Sequence, residues 1–170
     1  MSAADVCVVP APAKAVPLES CFEFVAYPGR AAAAAALSAW PARAGQALRD
    51  GAGQPTVLYF APDRWFIPAP APTLLSQLAA LERADCGTLI DVDGKWQELR
   101  IAPEQAQRML ARSIDVATVL ADRDCAAIRL FDCPAILARH EAAFKVWIEA
   151  SFAQSFLAVS RTTPDLPPSS

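Results

Sequence analysis

The sequence predicts an α+β domain in which antiparallel sheet is covered by helices. Three observations carry this. Apolar runs of strand length recur between turn signals, as in Thr56–Phe60 and Arg64–Ile67. Longer stretches with helical spacing interrupt them, as in Thr73–Arg83. Several links between strands are only two or three residues long, which requires antiparallel pairing. At 170 residues the chain fits one domain and can bury a core without a disulfide or a metal.

Residues 1–20 hold Pro10, Pro12 and Pro17 among Ala and Val. They read as a flexible Pro/Ala-rich arm, extended or disordered, because proline fixes φ and lacks a donor. The single domain is expected over 21–160, with 161–170, rich in Pro and Ser, as a disordered tail. Cys21–Tyr27 is a strand with Phe22, Phe24 and Ala26 on one face, stopped by Pro28-Gly29. Ala31–Ala39 is the best helix-forming run, too short to be stable undocked, and Pro41 ends it. Gly45–Gln54 reads as loose. Thr56–Phe60 and Arg64–Ile67 are strands about the turn Ala61-Pro62-Asp63. Thr73 is placed to N-cap a helix through Arg83, with Leu74, Leu75, Leu78 and Leu81 on one face. Thr88–Val92 and Lys95–Ile101 read as a hairpin through Asp93-Gly94. Pro103 opens a helix to Ser113 that buries Ala106, Met109 and Leu110. Ala126–Phe131, Ala135–Ala138 and Phe144–Ile148 are strands. Ser151 and Gln154 form a capping box for a last helix, Phe152–Val159. Arg64–Val92 and Lys95–Phe131 each place a helix between strands, and the element order suggests two ferredoxin-like layers sharing a sheet.

Composition excludes several functions. The net charge is -3, with 15 Lys and Arg against 18 Asp and Glu. That is no electrostatic footprint for nucleic acid. No apolar run approaches the ~20 residues of a membrane helix. Met1–Ser20 lacks the basic and apolar regions of a secretory signal. A cytoplasmic domain is expected.

Candidate chemistry is sparse, and no catalytic or metal-binding residue is assigned. The cysteines Cys7, Cys21, Cys86, Cys125 and Cys133 form no C-x-x-C pair, so reduced, buried thiols are expected rather than a metal site. His140 is the single histidine, and no G-x-S-x-G elbow supplies a serine for it, so a solvated loop histidine is expected. Gly51-Ala52-Gly53 lacks the third glycine of a dinucleotide loop, and Pro55 blocks the helix that would hold a pyrophosphate. Asp91, Asp93 and Glu98 lack the spacing of a calcium loop. Trp40, Trp65, Trp96 and Trp147 are either core or an anchor cluster for a partner. Arg64, Lys95, Arg100 and Arg129 are either solvated edge charges or ligands for a carboxylated molecule such as a folate tail.

An ordered set of segments resembles the gamma subunit family of heterotetrameric sarcosine oxidase. It comprises V-A-Y-P-G with the Ala-rich helix (Val25–Ala39), F-A-P-D-R-W-F-I (Phe60–Ile67) and T-L-I-D-V (Thr88–Val92). L-R-I-A-P-E-Q-A-Q-R-M-L (Leu99–Leu110) and F-K-V-W-I-E-A-S-F-A-Q-S-F-L (Phe144–Leu157) complete it. After Val92 the family tends to a Ser-His-type turn, where this chain has Asp93-Gly94-Lys95. The resemblance implies an aminomethyltransferase-like, folate-binding fold and a non-catalytic subunit beside larger alpha and beta subunits. It also implies that FAD, FMN, NAD and tetrahydrofolate belong to those partners, in oxidative demethylation of sarcosine to glycine. The alternative is a stand-alone folate-type ligand-binding domain without catalysis.

Overall fold

Consecutive residues Trp65, Phe66 and Ile67 are all fully buried, as are Ile136, Leu137 and Ala138. A strand buried on successive positions has both faces covered, and that condition decides the architecture. In the computed structural model, which describes residues 14–18, 20–100, 103–141 and 143–162, two five-stranded antiparallel sheets pack face to face. Helices close the two outer faces. Sheet I has the order β3 (Ala47–Arg49), β4 (Pro55–Ala61), β5 (Arg64–Pro68), β2 (Cys21–Ala26), β6 (Gly87–Asp91). Sheet II has the order β1 (Lys14–Pro17), β7 (Trp96–Arg100), β10 (Ala143–Glu149), β9 (Cys133–His140), β8 (Cys125–Leu130).

Three apolar layers follow from the period of two along each strand. Phe24, Trp65 and Ile67 face outward from sheet I and meet α1 (Ala31–Ser38) and α2 (Pro72–Arg83) through Ala34, Leu74, Leu78 and Leu81. Leu99, Leu137, Val146 and Ile148 face outward from sheet II. They meet α3 (Pro103–Ser113) and α5 (Ala150–Thr162) through Met109, Leu110, Phe156 and Leu157. Leu58, Phe66, Trp96, Ile136 and Trp147 fill the space between the sheets. All four tryptophans are core residues: the most exposed, Trp96, keeps 6% of its surface.

The α+β class with antiparallel sheet stands, but the layers do not share one sheet. The reason lies at Asp93-Gly94. The turn forms, with Gly94 at φ 74, and the Asp91 side chain accepts from the Asp93 N–H at 2.9 Å. Its two strands then part. β6 pairs with β2 (Phe24↔Leu89) and β7 pairs with β1 and β10, so the expected hairpin is a crossover between sheets. Buried Val92 sits between, its N–H donating to the Cys21 carbonyl.

Other boundaries move for local reasons. Lys14–Pro17, inside the segment expected as an arm, is edge strand β1, where Ala15 packs on the core and Pro17 occupies a strand end. The segment Gly45–Gln54, expected to be loose, contains β3, paired with β4 across a bulge. Pro72 is the first residue of α2 and Ala71 its cap, so Thr73 caps nothing. Leu75 stays 41% exposed. Ser151 is likewise inside α5, which starts at Ala150, and Arg161 and Thr162 extend it into the expected tail. A short helix α4 (Val116–Val119) was not foreseen. The side chain of Ala106 and residue Ile101, and the arm and tail beyond 14 and 162, lie outside the described residues.

Gly87 is fixed by space rather than by φ. A Cβ there would lie 2.3 Å from the Val25 carbonyl oxygen and 2.8 Å from the Ala26 Cα, both backbone atoms of the paired strand. Gly87→Ala must therefore push β6 off β2. A loss of about 2 kcal/mol is expected in urea unfolding, the range of overpacked sites. Wild-type stability in this variant would contradict the close approach.

Candidate functional site

β2 alternates with Cys21, Glu23 and Val25 on the face opposite Phe22 and Phe24. Because that face looks at sheet II, Glu23 is carried into the space between the sheets. It is 1% exposed, the one charged side chain among the buried residues described. Three donors converge on it. The Lys95 Nζ reaches Oε1 at 2.6 Å and the Trp96 Nε1 reaches the same oxygen at 3.0 Å, while the Arg64 guanidinium donates to Oε2. Lys95 also stands 5.2 Å from the Trp96 ring centroid, and Arg64 lies 5.5 Å from that of Phe60.

Burial alone pushes the Glu23 carboxyl up. The hydrogen bonds from Lys95, Trp96 and Arg64 outweigh it and hold the group below the ordinary glutamate range. The cluster joins β2 and β5 of sheet I to Lys95 and to Trp96, the first residue of β7 in sheet II. Beside it the Cys21 N–H donates to the Asp93 carboxylate at 2.6 Å, and the Ala150 N–H donates to the Lys95 carbonyl at 2.7 Å. Chemically it is a clamp: three donors, two of them charged, favour the ionised carboxylate and tie both of its oxygens to the protein.

Of the cations considered as ligands for a carboxylated molecule, Arg64 and Lys95 come together, but an internal carboxylate occupies them. Arg129 is exposed and donates to the Asp132 carbonyl at 2.6 Å. The side chain of Arg100 lies outside the described residues. Glu23 itself went unforeseen; an acid between two phenylalanines in Phe22-Glu23-Phe24 was its signal.

The remaining candidates disperse. His140 ends β9 and is half-buried rather than solvated in a loop. Its Nε2 lies 2.8 Å from the Gln54 Nε2, and its Nδ1 is buried without a partner. Gly51-Ala52-Gly53 forms the β3–β4 turn, held by the Asp50 carboxylate accepting from Ala52 and Gln54 N–H groups. Asp91 and Asp93 each bind backbone N–H groups, while Glu98 stands 3.7 Å from the Lys145 Nζ, so the three do not converge. Among the described residues no three His, Cys, Asp or Glu side chains are grouped to hold a metal ion. An apolar cavity of about 620 Å³ beside α4 is lined by Gln107, Ile114, Val116, Arg139 and Phe144. There the Arg139 Nε donates to the Arg123 carbonyl at 3.2 Å, and its Nη2 to the Leu120 carbonyl.

Cys21, Cys86, Cys125 and Cys133 are free and buried; Cys7 lies outside the described residues. Burial, with help from the Asp93, Asp91 and Glu23 charges, pushes the Cys21 thiol up to about 12. Burial and Asp124 push Cys125 to about 12. Both donate to carbonyls, Cys21 to Val92 at 3.2 Å and Cys125 to Gln46 at 3.3 Å. Iodoacetamide at pH 8 is therefore expected to leave these four unmodified in the folded chain and to label all of them in urea, read by mass. Rapid labelling of Cys21 or Cys125 in the folded chain would contradict their protonated, enclosed state.

Fold and site together define an α+β sandwich of two antiparallel sheets with a buried ion cluster at their junction. No family model matches the sequence, and no curated protein matches it. Among solved structures, the chain is similar to one in the heterotetrameric sarcosine oxidase from Corynebacterium sp. U-96, determined in complex with pyrrole 2-carboxylate. The identity is 22%, the match covers 91% of this chain and 86% of that chain, and the TM-score is 0.67. That likeness shows the fold. Among the described residues no helix is long and apolar enough to cross a membrane.

Proposed function

We propose that this chain is a gamma-like accessory subunit of a sarcosine oxidase complex. It supports oxidative demethylation of sarcosine to glycine, with transfer of the one-carbon unit to tetrahydrofolate, by shape and contact rather than by a reacting group of its own. The observation that carries this reading is the fold likeness over nearly the whole of both chains. The segments Phe60–Ile67 and Phe144–Leu157, which resemble the gamma family, support it and fall on β4, β5, β10 and the start of α5. In this reading the partners are larger alpha and beta subunits, which hold FAD, FMN, NAD and tetrahydrofolate, and the complex is cytoplasmic.

The folate-type ligand-binding alternative is disfavoured by the cluster, because Glu23 occupies the Arg64 and Lys95 donors it would need. The test is co-expression of this chain, tagged, with the large sarcosine oxidase subunits of the same organism. Stoichiometric recovery of both is expected. Recovery of the tagged chain alone, with the large subunits present in the lysate, would overturn the reading.

A further inference from the structure

Strand β8 is the outer strand of sheet II. The Cys125 N–H points away from β9, donating to the Gly45 carbonyl at 3.0 Å where the two sheets touch. Alternation along an antiparallel strand then sends the N–H and C=O groups of Ala127 and Arg129 to the same outer side. No strand pairs with that side past Cys125 among the described residues. Ala127 and Arg129 are both exposed.

A groove of about 380 Å³ runs along this edge, between β8 and α4. Its apolar wall is Ile114, Val119 and Ile128, each only partly covered by the core of sheet II. Helix α4 has no buried residue at all, an unusual state for a helix lying on a sheet. The Asp115 cap holds it, through the Ala117 and Thr118 N–H groups and the Thr118 hydroxyl. Arg123 and Arg129 also line the groove, and among the described residues neither has a carboxylate within ion-pair distance. An unpaired strand edge, an apolar wall and two cations outside any ion pair define one kind of occupant: an extended chain with alternating apolar and acidic side chains.

We infer that the α4–β8 groove is the seat for an extended acidic segment of a partner chain, added as a sixth strand to sheet II at Ala127–Arg129. The inference rests on the accessory-subunit reading for the existence of a partner, and adds the surface and the chemistry of the contact. Apolar side chains of the segment lie against Val119 and Ile128, and its carboxylates meet Arg123 and Arg129.

The probe is acetyl-Val-Glu-Val-Glu-Val-Glu-amide, with the lysine counterpart as its control, titrated into the ¹⁵N-labelled full chain. Expected are saturable shifts and slowed hydrogen exchange at the Ala127 and Arg129 amides with the glutamate peptide alone. Ala127→Pro removes an outward N–H and leaves the β9 ladder intact. It is expected to weaken binding by about tenfold, a loss near 1.4 kcal/mol. The double variant Arg123→Glu, Arg129→Glu, which gives up the Arg129 bond to the Asp132 carbonyl but no buried side chain, is expected to switch preference to the lysine peptide. No saturable shift at low-millimolar peptide, or binding indifferent to both variants, overturns the inference. The same variants in the co-expression test separate the two ideas. If the wild-type chain and both variants are recovered equally with the large subunits, the subunit reading stands and the seat is wrong. If the peptide binds at β8 but the large subunits are never recovered, the seat stands and the subunit reading falls.

Discussion

Glu23→Ala is expected to destabilise the chain by about 3 kcal/mol, the lower end of what breaking a buried ion pair costs. Removing the carboxylate leaves the Trp96 Nε1 buried without an acceptor and releases two cations from their common partner. The loss stays at the lower end because the Arg64 and Lys95 side chains are 43% and 38% exposed and recover water. Glu23→Gln keeps the shape and can still accept from Trp96, so about half that loss is expected. Urea unfolding followed by tryptophan fluorescence measures both, and two variants at wild-type stability would contradict the clamp. The cluster also sets an acid dependence. The folded carboxyl titrates below its unfolded range, so its contribution is complete above about pH 5, drains as pH falls past the unfolded value, and is gone below the lower folded one. Glu23→Gln should flatten the stability–pH curve in that window.

Phe66→Ala is expected to cost about 4 kcal/mol. Phe66 is fully buried between the sheets, with ring centroids 5.7 Å from Trp96 and 5.5 Å from Trp147. It is the ring that meets both tryptophans of the opposing sheet, so its removal opens a void at the junction rather than under one helix layer. Near-UV circular dichroism should weaken, since two tryptophans lose a fixed neighbour. Far-UV and fluorescence transitions should still coincide, because the two sheets share one inner core. A loss under about 1 kcal/mol would contradict the place of this core in holding the sheets together.

Elements with strong local signals were legible from sequence. Thr56–Phe60 and Arg64–Ile67 read as strands because apolar residues with high strand preference flank an unambiguous turn. Leu74, Leu75, Leu78 and Leu81 read as one helix face from their spacing, and all but the exposed Leu75 lie on it. What failed was decided at a distance. The Asp93-Gly94 turn has the chemistry of a hairpin, but pairing of β6 with β2 rather than β7 depends on strands some 65 residues back in the chain. Strand β3, three residues in a segment of small side chains, exists because β4 offers it an edge. Helix α4 is Val-Ala-Thr-Val, a poor helix former, fixed by the Asp115 cap rather than by propensity. The cluster was half legible. Arg64 and Lys95 stand out as cations near strand ends, but their partner does not, because the alternation in Cys21–Tyr27 marks only the face of Phe22, Phe24 and Ala26. Two buried faces rather than one turn that acid into a buried charge, and a buried charge must find partners.

The proposed function turns on assembly: a domain whose buried carboxylate is held by its own cations contributes surface to a larger machine. Native mass measurement of the protein drawn from its own cells is the most direct test. The expected result is a hetero-oligomer in which this chain is held with larger sarcosine oxidase subunits in fixed stoichiometry. A free monomer from cells that contain those subunits, or sarcosine oxidation by the isolated chain, would contradict it.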